Sequence, residues 1–379
     1  MLNFLYRILV FRTGKAFSFL KTLPISLTFS ITRKCNLSCR TCNIWQDKIE
    51  DELTLEEYIK IFSSIKGKIP WMTIDGGEPF LREDIDQIIE NAYRYIRPRV
   101  INIATNGTFP DMIFNKVKKI VESCPNTQII INLSIDGLED KHDYIRNKTG
   151  TFAKAKESYC RLKDINSGNF CIGINTTVSK FNIDNLSEII SYCTKLNPDS
   201  YLIEIAEERD EFKNSGCDFR PSRDKCIGAL DLILKEMTRV RFIKFSKLTQ
   251  ILRKEYYNLI KEILRNERLM IPCFSGIAFG HIFSNGDIWS CSVKRRIMGN
   301  LRKEGYDFRK IWHSKKANLV RQEVFSDKCY CASVNAYYSN MLCNGFIIPK
   351  LILGYLLWKK SVLSSQISSI TKKMFSLIS

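Results

Sequence analysis

Six short runs rich in β-branched and aliphatic side chains recur through the first half of the chain, at 25–32, 71–75, 100–105, 129–135, 171–178 and 201–206. Stretches of helical period lie between them, near 54–66, 82–96, 111–123, 151–165 and 183–195. Thr54 followed by Glu57 has the spacing of a capping box, so the first helix is predicted to open there. Buried strands alternating with amphipathic helices predict parallel βαβ units with right-handed crossovers. Six such units make an α/β fold, a partial (β/α)6 barrel of TIM type that stops short of closure. In such sheets ligands gather beyond the carboxyl ends of the strands, so the loops after each run are where chemistry is expected.

The loop after the first run carries Cys35, Cys39 and Cys42, spaced C-x3-C-x2-C. Three thiols on one short loop suit a soft metal or an iron–sulfur cluster. They leave one corner of a four-iron cubane open, which a catalytic site needs and a structural site avoids. The loop after the second run reads Asp75-Gly76-Gly77-Glu78-Pro79. Two glycines let the backbone approach a ligand without a Cβ in the way, and Glu78 can accept from an ammonium. Asp75 is a candidate for capping or bracing that loop. Thr105-Asn106-Gly107 closes the third run, Ser134 and Asp136 close the fourth, and Arg146 follows soon after.

Taken together, the three-cysteine loop, the Gly-Gly-Glu-Pro segment and the Asn132-to-Gly137 segment resemble the signatures of the radical SAM enzymes over roughly residues 25 to 225. The resemblance implies a [4Fe–4S] cluster on Cys35, Cys39 and Cys42, with S-adenosylmethionine (SAM) on the open iron through its amino and carboxylate groups. It implies that Gly76, Gly77, Glu78 and Pro79 receive the methionyl amino group. Asn106, Ser134 and Asp136 would face the ribose and carboxylate, and Arg146 would pair with the carboxylate. A flavodoxin- or ferredoxin-like donor would pass one electron into the sulfonium, giving a 5′-deoxyadenosyl radical that takes hydrogen from a substrate. One position departs from the pattern: Thr41 stands where an aromatic residue usually precedes the third cysteine, and Ile44 or Trp45 is expected to take over its packing.

A second group comprises Cys273, Cys291, Cys329, Cys331 and Cys343. Ser284-Asn285-Gly286-Asp287 reads as a hairpin turn, and Gly286 begins a Gly-x4-Cys. With Met298-Gly-Asn-Leu301 and Ile311-Trp312, the segment resembles the SPASM or twitch extension of radical SAM enzymes. That implies one auxiliary [4Fe–4S] cluster, on Cys273, Cys291, Cys343 and one of Cys329 or Cys331. The same thiols would also suit zinc.

The region 207–272 is charged and reads as connecting helices with solvated faces. Cys124, Cys160, Cys171, Cys193, Cys217 and Cys226 show no ligand spacing and read mostly as small buried hydrophobes. His142, His281 and His313 read as ordinary polar residues. The units are therefore 1–24, a basic apolar segment; 25–225, the barrel; 226–272, a helical connector; 273–345, the auxiliary-cluster domain; and 346–379, an apolar basic tail. A net charge of +18 favours anionic or membrane-surface partners, with no specific nucleic acid implied. Fourteen cysteines without a secretory signal point to a reducing, cytoplasmic setting. Both termini have the composition of interfacial anchors, which would place the protein on the inner face of a membrane. The expected substrate is a peptide or protein. The alternatives are a lipid or lipid-linked sugar and, from another class, a non-catalytic iron–sulfur or zinc protein.

Overall fold

The computed structural model describes residues 22–47, 51–237, 246–327, 329–345 and 349, with only the backbone for 246–249. The basic apolar termini, and the anchors expected there, lie almost wholly outside the described residues. Among the described residues no helix is long and apolar enough to cross a membrane.

Six parallel strands form the half-barrel: β1 (Ser26–Thr32), β2 (Trp71–Gly76), β3 (Val100–Thr105), β4 (Gln128–Ser134), β5 (Phe170–Val178) and β6 (Ser200–Ile205). The intervening helices are α1 (Leu55–Ile65), α2 (Ile85–Ile96), α3 (Pro110–Ser123), α4 (Glu139–Arg146), α5 (Thr151–Lys163) and α6 (Leu186–Lys195). All five expected helices are present. The short α4 went unread because its eight residues, EDKHDYIR, hold too few apolar positions to show a period.

The two faces of the sheet differ. Leu27, Phe29 and Ile31 point outward into the helical layer, where Phe29 meets Phe62 edge-on at 5.5 Å between ring centres. The alternate residues of the strands line the inside and are polar: Ser30, Thr73, Asp75, Asn102, Asn132, Asn175 and Thr177. Only the amino end of the interior is plugged with apolar side chains, by Val100, Ile130 and Cys171 against Trp71. A closed barrel fills its centre with side chains; this open one keeps a polar cavity.

The C-terminal segment is joined to this sheet. Strand β7 (Phe279–Ile282) runs parallel to β1, with Ser26 opposite Phe279 and Phe29 opposite Ile282. Strands β8 (Asp287–Trp289) and β9 (Ile297–Asn300) continue antiparallel, giving the order β6-β5-β4-β3-β2-β1-β7-β8-β9. The hairpin turn falls between β7 and β8 as expected. Helices α7 (Arg223–Met237), α8 (Ser246–Asn266), α9 (Phe308–Trp312), α10 (Lys315–Ser326) and α11 (Val334–Cys343) complete the described chain.

The capping box at Thr54 is formed, and its carboxylate does a second job. Glu57 accepts from Arg302 Nε at 2.5 Å and Nη2 at 2.8 Å, and from the Tyr306 hydroxyl at 2.8 Å, so it fastens α1 to the C-terminal segment. The Arg302 guanidinium holds the Glu57 carboxyl down at about 2, against an ordinary 4.5. A depressed carboxylate contributes stability that is complete above its unfolded value and is lost as pH falls through the folded one. Glu57→Gln should therefore cost about 2 kcal/mol at pH 7. Urea unfolding should show the difference between the two proteins shrinking as pH drops from 4.5 toward 2.

Candidate active site at the mouth of the half-barrel

Every neighbouring loop grips the three-cysteine loop. Gly77 N donates to Thr32 O at 2.8 Å and Glu78 N to Lys34 O at 2.9 Å. Asn106 Nδ2 donates to Asn36 Oδ1 at 2.9 Å, and Asn36 Nδ2 to Thr108 Oγ1 at 2.8 Å. From the α4 side, Arg40 N reaches Ile145 O at 2.9 Å and Asn147 Nδ2 reaches Ser38 Oγ at 2.9 Å. Cys35, Cys39 and Cys42 are half-buried and line one cavity of about 240 Å³. Burial pushes the Cys35 thiol up to about 11 and the Cys42 thiol up to about 12. Cys39 moves the same way for the same reason, opposed by Arg146, whose Nη1 lies 3.8 Å from the sulfur. Three thiols so placed stay protonated at neutral pH unless a metal's charge draws off the protons. The donor set and its burial fit an iron–sulfur cluster.

The two glycines meet backbone. A Cβ on Gly76 would sit 2.2 Å from Thr32 O, and one on Gly77 would sit 2.1 Å from Lys34 O. The close approach expected at this motif is thus to the cysteine loop itself. Gly76, Gly77 and Pro79 line the cavity. The Glu78 carboxylate, expected to accept from an ammonium, is held by three donors of the chain. It is 1% exposed and accepts from Thr105 Oγ1 at 2.8 Å, Asn106 N at 2.7 Å and Phe80 N at 3.2 Å. Burial still pushes it up to about 7. Asn106 likewise spends its amide on Asn36 and Thr108, although it borders the cavity.

Ser134 and Asp136 line the cavity at the end of β4. Asp136 is 3% exposed, pairs with Arg146 Nη2 at 2.7 Å and accepts from Thr177 N at 2.8 Å. The cation expected to meet a SAM carboxylate therefore already has a carboxylate partner, and only its Nε is without one. Of the two residues expected to replace the missing aromatic at Thr41, Ile44 lines the cavity, whereas Trp45 is 44% exposed. The aromatic walls come from Phe212 and Phe219.

The region after β6 is the main correction to the sequence reading. Glu207, Arg209 and Glu211 are not on a solvated face; they turn inward, while Glu208 and Asp210 are exposed. Arg209 Nη2 lies 3.3 Å from Glu204 and 3.7 Å from Glu207, and all three line the cavity. A two-residue period ran through the charged stretch, and charge alone masked it.

Cys273, Cys291, Cys329 and Cys331 come together. Cys273 faces Cys291 and Cys329, and Cys331 faces Cys273 and Cys329. Burial pushes the Cys273 thiol up to about 12 and raises Cys329 and Cys331 as well. Cys343 packs in the small apolar cluster that Cys273 and Cys291 also border. Such a thiol set suits either zinc or an iron–sulfur cluster. The Cys-x-Cys loop is tied to the cavity by Ala332 N, which donates to Glu207 Oε1. Of the remaining cysteines, Cys124, Cys171, Cys193 and Cys226 are buried as expected, and Cys160 and Cys217 are exposed.

An open half-barrel with three thiols at its mouth and a second thiol group beside the sheet defines an iron–sulfur protein of the SAM-binding class. The comparisons agree. The radical SAM superfamily model matches residues 29–193, and the SPASM model, an iron–sulfur cluster-binding domain, matches residues 273–333. Over those residues the chain is similar to the radical SAM superfamily and to SPASM domains. It is 28% identical to the sporulation killing factor maturation protein SkfB of Bacillus subtilis, over 45% of this chain and 40% of that protein. It is 24% identical to an AdoMet-dependent heme synthase of Methanosarcina barkeri, over 81% of this chain and 87% of that one. The chain spans about half the length of several curated relatives it matches. Among solved structures, native anSMEcpe with bound AdoMet and a Cp18Cys peptide shares the fold at a TM-score of 0.58 and 16% identity, covering 88% of this chain and 100% of that one. SuiB of Streptococcus suis bound to SAM shares it at 0.57 and 16%, covering 79% and 68%.

Proposed function

We propose that the chain is a radical SAM enzyme whose [4Fe–4S] cluster is held by Cys35, Cys39 and Cys42, and that its substrate is a peptide or protein. When bound, cluster and SAM supply one-electron cleavage of the sulfonium and a 5′-deoxyadenosyl radical that abstracts hydrogen. The residues supply the rest. The three thiols give up their protons on loading. Arg146, with Asp136 behind it, holds positive charge beside Cys39, and the Gly76-Gly77 backbone fixes the loop. Ser134 and Asn106 border the space for the rest of SAM, and the SPASM thiols would hold a second cluster behind Glu207.

The observation that carries the reading is the convergence of three buried thiols on a polar cavity at the strand ends. Its inner wall favours an amide-bearing substrate. Asn132 Oδ1 and Asn175 Oδ1 are buried acceptors without a partner, suited to peptide N–H groups. The names of SkfB and the peptide-bound anSMEcpe agree with this. The breadth of the heme synthase match favours a second reading, a small-molecule substrate. The lipid reading rested on the termini and gains nothing from the cavity.

Anaerobic reconstitution should load about eight irons per chain, two four-iron clusters. Dithionite and SAM should then release 5′-deoxyadenosine, and Cys39→Ala should release none. Bound zinc, or iron without SAM cleavage, would overturn the reading. Comparing peptides from cells expressing wild type or Cys39→Ala should reveal the modified residue; a change confined to small metabolites would favour the second reading.

A further inference from the structure

One buried group of titratable side chains has no part in the chemistry above. Asp75 comes from β2, Glu211 from the turn that follows β6, and His281 from β7, and their ligand atoms lie within 4.8 Å of one another. Glu211 and His281 are each 1% exposed. Asp75 Oδ1, Glu211 Oε1 and both ring nitrogens of His281 lack a hydrogen-bond partner. His281 Nε2 stands 3.7 Å from Glu211 Oε1, beyond hydrogen-bond range. Burial keeps the imidazole neutral, which leaves a lone pair free to coordinate. Leaving this many buried polar atoms unsatisfied is costly. A metal ion with bonds of about 2.0–2.2 Å would engage both carboxylate oxygens and one ring nitrogen after a contraction.

The local charge points the same way. Five carboxylates (Asp47, Asp75, Glu204, Glu207 and Glu211) share this region with four cations (Arg33, Arg209, Lys213 and Arg220). Each of the first three has a carboxylate partner, although Arg33 Nη1 and Arg209 Nε have no hydrogen-bond partner. Arg33 Nε lies 3.0 Å from Asp47, and its Nη2 donates to the Glu211 carbonyl at 2.6 Å. Lys213 lies 2.8 Å from Asp47, and Arg209 serves Glu204 and Glu207. Asp75 and Glu211 bring unsatisfied carboxylate oxygens close together here, and a bound cation would relieve their mutual repulsion.

We propose that Asp75, Glu211 and His281 bind one divalent transition-metal ion at a site separate from both cysteine groups. Carboxylate oxygens and an imidazole nitrogen suit Mn2+, Fe2+ or Zn2+. The ion would join β2, the turn carrying Glu211 and β7. Because Asp75 also lines the cavity, the metal would fix the cavity wall and hold the Phe212 turn against it.

The test uses the full chain with both clusters loaded, titrated with Mn2+ alone and followed by electron paramagnetic resonance. One equivalent should be taken up per chain and released by Zn2+. Asp75→Asn and His281→Gln should each weaken uptake by about 100-fold while leaving cluster iron unchanged. Bound Mn2+ should also raise the melting temperature of wild type but not of folded variants. Glu211→Gln serves if either of the others fails to fold. Two results overturn the site: wild type that takes up neither Mn2+ nor Zn2+ and shows no thermal shift, or folded variants that bind as tightly as wild type.

Discussion

Gly77→Ala is expected to empty the three-cysteine loop of iron and to lower 5′-deoxyadenosine formation by about 100-fold or more, the cost of a misplacement of about 1 Å. The added Cβ would stand 2.1 Å from Lys34 O, 2.6 Å from Lys34 C and 3.0 Å from Arg33 O. Nothing there is the tip of a flexible side chain that could swing aside. The loop must move, and it carries Cys35 with it. Relief is further blocked because Gly77 N and Glu78 N are hydrogen-bonded to the same two residues, Thr32 and Lys34. The auxiliary thiols are carried by other segments, beside β7 and on the Cys-x-Cys loop, and should keep their iron. The content should therefore fall from about eight irons to about four, with circular dichroism nearly unchanged. Full iron in the variant would show that the loop is looser than its hydrogen bonds indicate.

Arg146→Ala should cost about 3–5 kcal/mol in stability, because it strands the Asp136 carboxylate, 3% exposed, without its partner. It should also lower affinity for SAM and remove the cation beside Cys39. These effects can be separated. Arg146→Gln with Asp136→Asn replaces the ion pair by two neutral groups and should recover most of the stability in urea. It should not recover SAM binding measured on the loaded protein. If the double variant bound SAM normally, Arg146 would be a brace for β4 and nothing more.

Much of this was legible in the sequence. The six strands fall within a residue or two of their expected bounds, because runs such as Ile101, Ile103 and Ile129, Ile131 bury one face under helices whatever else the chain does. The Thr54–Glu57 cap formed because both of its hydrogen bonds are local. The polar alternation inside β1, Ser-Leu-Thr-Phe-Ser-Ile-Thr, was equally present and marks an open interior, but its apolar half drew the reading toward a strand buried on both faces. The inward turn of Glu207, Arg209 and Glu211 was hidden for a related reason. Charge predicts exposure unless a partner is known: Arg209 finds Glu204 and Glu207 close by, while Arg33 and Ala332 reach this stretch from elsewhere in the chain.

What the sequence determined by itself was the succession of elements and the chemistry of its thiols, since both depend on periodicity and spacing within a few residues. Only the tertiary structure decided that Gly76 and Gly77 yield to the cysteine loop, that Glu78 and Asn106 brace it, that Arg146 meets Asp136, and that β7 extends the sheet to bring His281 toward Asp75 and Glu211. Each of these is a contact between residues tens to hundreds of positions apart. Their identity follows from how the parallel sheet stacks its strand ends, which no local pattern records.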